Sequence, residues 1–358
     1  MSNEILYNSQ VISFLEELWG DGFLSPGGSD EVKKVIEGIQ IKDKRVLDIG
    51  SGSGACAVLL AKDYSAKQVV GIDVESPVCE AAQNSVLAAG LSEKISIELV
   101  SPGKLPFEDG SFDIVFSKDS IIHIPDKSAL AKDVFRVLKP GGHFAASDWL
   151  ISHAGQPSHE MSEYIKAEGL DFAMASPGEY QEAFSKAGFV DVELVNRNPW
   201  YSSIAAKELE WLKGPEREGL SIRHGKEFID HQVEIWEKLV GVLKSGEHCP
   251  HHIRAKKPLG FWFIYLPVFL NLNDLDAGDK LISSIIVPCR VPKKSNTIFA
   301  ISSVSIALVS SASGSNSNVS KKGLLPIPGF TKQTRTPAGP ASFRNACANP
   351  LMPNFAAE

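Results

Sequence analysis

A chain of 358 residues, 43% hydrophobic and 22% charged, is ordinary for a globular protein and long enough for one large α/β domain with insertions or for two domains. A formal net charge of −7 supplies no concentrated basic face, so no nucleic-acid partner is expected. The five cysteines form no CxxC pair, and "MSNEILYNSQ" has neither a basic n-region nor an apolar h-region. Free thiols in a reducing cytoplasm are therefore expected.

In chain order, "KRVLDIG" (44–50) reads as a buried strand and "GACAVLLAKDY" (54–64) as the helix after it. "QVVGIDV" (68–74) is a second strand, "PVCEAAQNSVLAAG" (77–90) a helix ended by Gly90, and "ISIELV" (95–100) a third strand. "FDIVFS" (112–117) is a fourth strand, "SALAKDVFRVLKPGG" (128–142) a helix closed by Pro-Gly-Gly, and "HFAASDW" (143–149) a fifth strand. "SPGEYQEAFSKAGF" (176–189) is a helix opened by a Ser-Pro cap signal and stopped by Gly188; "VDVELV" (190–195) is a sixth strand. Residues 150–175 and 199–245 are helical insertions roofing the site, and "HHIRAKK" (251–257) is a last, edge strand. Strands alternating with helices of 10–15 residues imply crossover units and a mostly parallel, Rossmann-like sheet, whose ligand sits beyond the carboxyl ends of the strands.

The glycine loop runs Asp48-Ile49-Gly50-Ser51-Gly52-Ser53-Gly54, and a second acid, Asp73, ends the next strand with Val74 beside it. Asp73 suits a ribose diol. A carboxylate directly before the first glycine does not suit a pyrophosphate, because like charges would meet in a partly dry site. Asp48 suits a donor with a cationic amino group and no phosphate, which describes S-adenosylmethionine; a dinucleotide loop or plain tight packing is the alternative.

"VLDIGSGSG", "GIDV", "LPFEDGSFDIVFS" and "VLKPGG" resemble the motif series of class I S-adenosylmethionine-dependent methyltransferases over about 44–149. That resemblance implies a seven-stranded sheet with helical insertions over the site, and a cofactor held by Asp48, Gly50, Ser51, Gly52, Gly54, Asp73 and Val74. The family usually carries an acid after the third strand, near the adenine; here Ser101 stands in its place.

"FSKDSIIHIPDK" (116–127), "YNSQVISFLEELWGDGFLSPGG" (7–28) and "IWEKLVGVLKSGEHCPHHIRAKKP" resemble the corresponding stretches of phosphoethanolamine (phosphobase) N-methyltransferases, so the likeness spans about 1–258. It implies a catalytic set of His123, Tyr7 and Asp119, in which the histidine removes the amine proton and Asp119 orients the cation. Lys118, Leu24 and Ser25 match positions that contact S-adenosylmethionine, and Lys238 matches a lysine that contacts the phosphate. Two departures bear on the acceptor. An aromatic hydroxyl that follows the fifth-strand Asp in the family is Trp149 here, still assigned to the substrate, and the family's Arg-x-Tyr has no counterpart in "YIKAEGLDFAMASPGEY". The expected acceptor is thus a small amine, of the phosphoethanolamine type or related and unphosphorylated. Methylation of a small molecule at oxygen or carbon, or a non-catalytic cofactor-binding module, are the alternatives; His123 would then be a structural histidine.

"HCPHH" (248–252) lacks the second cluster that a metal site needs and reads as a solvated strand edge. Residues 1–260 carry 39 acidic and 27 basic side chains, a net of −12, whereas 261–358 carry 4 and 9, a net of +5, with a Ser/Pro bias. The expected organisation is 1–43 as lid helices plus the first core helix, 44–150 as the cofactor-binding core, 151–258 as substrate cap and remaining sheet, and 259–358 as a low-complexity, disordered tail. A monomer without stable membrane insertion is expected.

Overall fold

The run of apolar residues in β1 (Arg45–Ile49) has no solvent-facing alternation, which is the pattern of a strand covered on both faces. A computed structural model, describing residues 7–170 and 172–259 and the backbone of 261–266 and 285–290, places it third in a seven-stranded sheet of order β3-β2-β1-β4-β5-β7-β6. The other strands are β2 (Gln68–Asp73), β3 (Ile95–Leu99), β4 (Phe112–Lys118), β5 (Leu138–Asp148), β6 (Val190–Asn196) and β7 (His251–Lys256). Pairings from β3 through β5 are parallel, while β7 runs antiparallel to both its neighbours.

Helices cover both faces. On one, α2 (Gly28–Val35), α3 (Ala55–Lys62) and α4 (Ser76–Ala88) bury Val32, Val35, Leu60 and Val86 against the sheet. On the other, α5 (Lys127–Val137) and α7 (Pro177–Ala187) bury Val134, Val137, Tyr180 and Phe184. Ser176 and Glu179 form a reciprocal capping box at the start of α7, and Gly188 ends it with φ +100°. A separate apolar cluster unites α1 (Ser9–Trp19), α6 (His159–Glu168), α8 (Asn198–Lys213), α9 (Arg217–His224) and α10 (Lys226–Ser245), among them Phe14, Tyr164, Tyr201 and Trp236. The segments 150–175 and 199–245, expected to be helical, supply α6 and α8 to α10 of this cluster.

Three expectations need correcting. The helix expected to run to 142 stops at Val137, and β5 begins at Leu138, paired with Phe112. Pro140 cannot continue a helix and disfavours helical backbone at Lys139, so the "KPGG" run enters the ladder instead. The expected edge strand β7 lies inside the sheet, between β5 and β6, and β6 is the edge. The "HCPHH" stretch is accordingly buried: His248, Cys249, His251 and His252 are each 6% exposed or less. His252 Nε2 lies 2.7 Å from Glu31 Oε1, and no group of side chains among the described residues could hold a metal.

The chain divides after Pro258. Of the second unit, β8 (Phe261–Leu266) pairs antiparallel with β9 (Ile285–Arg290). The expected tail otherwise falls outside the described residues. No described helix is long and apolar enough to cross a membrane.

Candidate active site

The glycine loop leaves β1 with Gly50 at φ +69°, where a β-carbon would fall 1.6 Å from Ser120 Oγ. Both the left-handed backbone and the close approach exclude other residues. Gly50→Ala is expected to lower the thermal midpoint by several degrees or abolish soluble expression, read by differential scanning fluorimetry. The amides of Gly50 and Ser51 donate to Ile72 O at 2.9 and 3.0 Å, and Gly52 N donates to Asp73 Oδ2 at 3.1 Å, which fixes the loop against β2.

Asp48 is 1% exposed, and neither of its carboxylate oxygens has a hydrogen-bond partner. The hydroxyls of Ser51 and Ser53 are also buried without partners. Burial, and then the charge of Asp73, push the Asp48 carboxyl up to about 7. Buried polar groups are normally paired, so three unpartnered side chains around one glycine loop mark it as a place to hold a polar ligand. Asp73 Oδ1 accepts from the amides of Val74 and Glu75 at 2.8 and 3.2 Å. Val74, 51% exposed, presents an apolar surface at the carboxyl end of β2, and Ser101 is exposed just beyond β3.

At the end of β4, Asp119 takes φ 52°, a region Asp tolerates better than most residues. Its amide donates to Ser147 O at 2.8 Å. Its carboxylate, with a side chain 1% exposed, accepts from Lys118 Nζ at 2.9 Å and lies 3.2 Å from the Tyr201 hydroxyl. Lys118 Nζ also donates to Ser25 Oγ at 2.5 Å and Pro26 O at 2.8 Å. That ammonium therefore pins the amino-terminal segment to the sheet, while Leu24 packs against Gly52.

His123 ends a short 3-10 turn, Ile121–His123, held from two sides. Lys127 Nζ donates to the carbonyls of Ile121 at 2.7 Å and Ile124 at 2.6 Å. Asp148 accepts from Ile122 N at 2.9 Å and from the Tyr180 hydroxyl. Burial dominates at Asp148 and pushes its carboxyl up to about 7.

Tyr7, Asp119 and His123 line one cavity of about 240 Å³, together with Leu24, Ser25 and Trp149. Burial, and then the charge of Glu168, raise the Tyr7 phenol above its ordinary range. The Trp149 indole N–H is buried with no acceptor in good geometry, although it faces the Tyr201 hydroxyl. Lys238 is not brought to this cavity: its ammonium lies 3.6 Å from Glu234, one turn back on the same helix. Tyr201, Glu168, Lys127 and Glu208 were not singled out from sequence. Tyr201 meets Asp119 across 82 positions and Glu208 meets Trp19 across 189, contacts that no local pattern records, whereas Lys127 and Glu168 bond to neighbours within six residues.

Comparisons with known proteins follow this geometry. A family described as "Methyltransferase domain" matches residues 47–146. Phosphoethanolamine N-methyltransferase 1 of Arabidopsis thaliana is 34% identical over 249 residues, covering 69% of this chain and 48% of the relative. Phosphoethanolamine N-methyltransferase 2 of Caenorhabditis elegans is 31% identical, covering 70% and 57%. The solved Haemonchus contortus phosphoethanolamine N-methyltransferase 2, bound to phosphomonomethylethanolamine and S-adenosylhomocysteine, aligns with TM-score 0.64 at 27% identity, covering 70% and 58%. The chain thus spans about half the length of the curated relatives it matches.

Proposed function

We propose, from the premise that this chain belongs to the class I S-adenosylmethionine-dependent methyltransferases and is similar to phosphoethanolamine N-methyltransferases, that it methylates the nitrogen of a small amine. The observation that carries the reading is the meeting of Tyr7, Asp119 and His123, from two distant stretches of chain, around one cavity at the carboxyl end of β4.

The residues of the glycine loop fit the cofactor. Asp48 is a buried carboxylate without a partner and would face the cationic amino group, and the unpartnered Ser51 and Ser53 hydroxyls lie in the same loop. Gly50 and Gly54 let the loop pack closely on Ser120 and Ala82, which sets its shape around the cofactor. Asp73 keeps acceptor capacity for a ribose hydroxyl, and Val74 offers an apolar surface to the base. Ser101 would stand at the adenine rim. Leu24 and Ser25, pinned by Lys118, would close the site from above.

Bound S-adenosylmethionine supplies an electrophilic methyl group, whose bond to sulfur breaks with its electron pair left on sulfur as the acceptor's lone pair forms the new N–C bond. His123 would take the proton that an ammonium acceptor must first lose. Asp119 would hold the cation on line, and the Tyr7 hydroxyl, kept protonated by burial, would donate or accept beside it. Trp149 would form a wall of the acceptor site. Much of the acceleration would come from alignment within a closed cavity.

Asp48 gives a pH-dependent test. Its carboxyl is raised to about 7, so below that pH a cationic cofactor must displace a proton to gain the charge. Binding of S-adenosylmethionine is expected to weaken about tenfold from pH 8 to pH 6, with proton release seen by calorimetry in two buffers; Asp48→Asn should abolish both effects. Release of S-adenosylhomocysteine from a panel of amines and phosphobases tests the reaction itself. No release with any amine, by a chain that binds the cofactor, would count against it.

A further inference from the structure

We infer that the acceptor end of the cavity takes a phosphate-free amine with an apolar body, and that Glu168 and Glu208 set this preference; the inference rests on the methyl-transfer reading above. A volume of about 240 Å³ lies below the usual small-molecule range of about 300–1,000 Å³, so the acceptor is small.

Three carboxylates line the cavity, Asp119, Glu168 and Glu208, and among the described lining residues there is no lysine or arginine. Asp119 has Lys118 at 2.9 Å, whereas no described cation lies in ion-pair range of Glu168 or Glu208. Glu208 is fixed by two indoles: Trp19 Nε1 donates to one oxygen at 2.8 Å and Trp236 Nε1 to the other at 3.0 Å. The two rings lie 6.1 Å apart. Burial raises both carboxyls, that of Glu168 to about 7, and the neutral donors bring no cation to offset the charge that forms on the alkaline side. Glu168 accepts from the Tyr164 hydroxyl at 2.9 Å, and its charge is the one felt most strongly by Tyr7. Apolar walls complete this end, with Phe228, Ile235 and Leu239 among them.

A phosphate dianion needs two or more charge-assisted donors. Here it would meet carboxylates in a partly dry cavity, where like charges repel far more strongly than in water. His248 cannot serve as the missing cation: burial pushes it down to about 4, and its Nδ1 faces Leu150 O at 3.1 Å. His231 lies exposed at the rim. An ammonium on an apolar body gains from the carboxylates, while its body is buried against the apolar lining.

The test is steady-state release of S-adenosylhomocysteine by the full chain at pH 8, with 2-phenylethylamine, ethanolamine and phosphoethanolamine as acceptors. The expected kcat/KM for 2-phenylethylamine exceeds that for phosphoethanolamine at least about tenfold. Glu168→Gln, which keeps a partner for the Tyr164 hydroxyl, should raise KM for 2-phenylethylamine about tenfold and leave the Kd for S-adenosylmethionine unchanged. Phosphoethanolamine or ethanolamine outranking 2-phenylethylamine, or a Glu168→Gln enzyme with unaltered KM, would overturn the inference while leaving amine methylation standing. Failure of every amine, with the cofactor still bound, would overturn both readings.

Discussion

His123→Ala is expected to cut kcat for amine methylation by about 10²- to 10⁴-fold, the usual contribution of a positioned proton acceptor. The Kd for S-adenosylmethionine should stay within about twofold, because the glycine loop is fixed by bonds to Ile72 O and Asp73 that the substitution leaves in place. The remaining activity should rise with pH toward the pKa of the acceptor, since bulk solvent must then remove the proton that His123 removes in the parent. A histidine serving only to hold the fourth-strand loop would behave differently: its loss would lower the thermal midpoint and leave the pH profile unchanged. The loop is held by other groups, through Lys127 on the carbonyls of Ile121 and Ile124 and Asp148 on the amide of Ile122, so the variant should fold.

Glu31→Gln should be the most destabilising substitution outside the active site. Glu31 is fully buried and accepts from Arg197 Nε and Nη2 at 2.8 and 2.9 Å, with His252 Nε2 at 2.7 Å. Its loss would leave the part-buried Arg197 guanidinium without a counter-charge and His252 Nε2 without its carboxylate partner, at a cost of about 3–5 kcal/mol. For a unit of this size that corresponds to a fall of about 10 °C in thermal midpoint. Burial alone would raise the Glu31 carboxyl, but the bonds from His252 and Arg197 outweigh it and hold it at about 2. A carboxyl lowered on folding stabilises above its ordinary value, and that stability is lost as pH falls from about 4.5 to about 2. Chemical denaturation of parent and variant should therefore converge across that acidic window, and parallel curves would contradict the assignment.

What was legible in the sequence follows from where the physics is local. The strands around the glycine loop could be read because each is a short apolar run bounded by a turn, and Asp48 stood out because a carboxylate before the loop would repel a pyrophosphate and suits a cationic donor. β7 was misplaced because "HHIRAKK" carries polar side chains whose partners lie far away: His252 on Glu31, and Arg254 Nε on Val35 O at 3.0 Å. Those bonds let a polar strand sit inside the sheet. Lys238 shares a helix face with His231, seven residues earlier, which lines the cavity, so periodicity alone does not set it apart; what the sequence does not show is that its ammonium lies 3.6 Å from Glu234. The acid-aromatic end of the cavity was not legible at all, since Trp19, Glu208 and Trp236 meet only once three helices pack.

The most direct measurement follows the methyl group. With S-adenosylmethionine labelled with carbon-13 in its methyl, the full chain and an amine acceptor, the product's carbon spectrum should show the label at an N-methyl shift, growing in step with S-adenosylhomocysteine and at least about a hundredfold more slowly in His123→Ala. Label on oxygen or carbon, or none transferred by a chain that binds the donor, would contradict nitrogen methylation at the Tyr7–Asp119–His123 cavity.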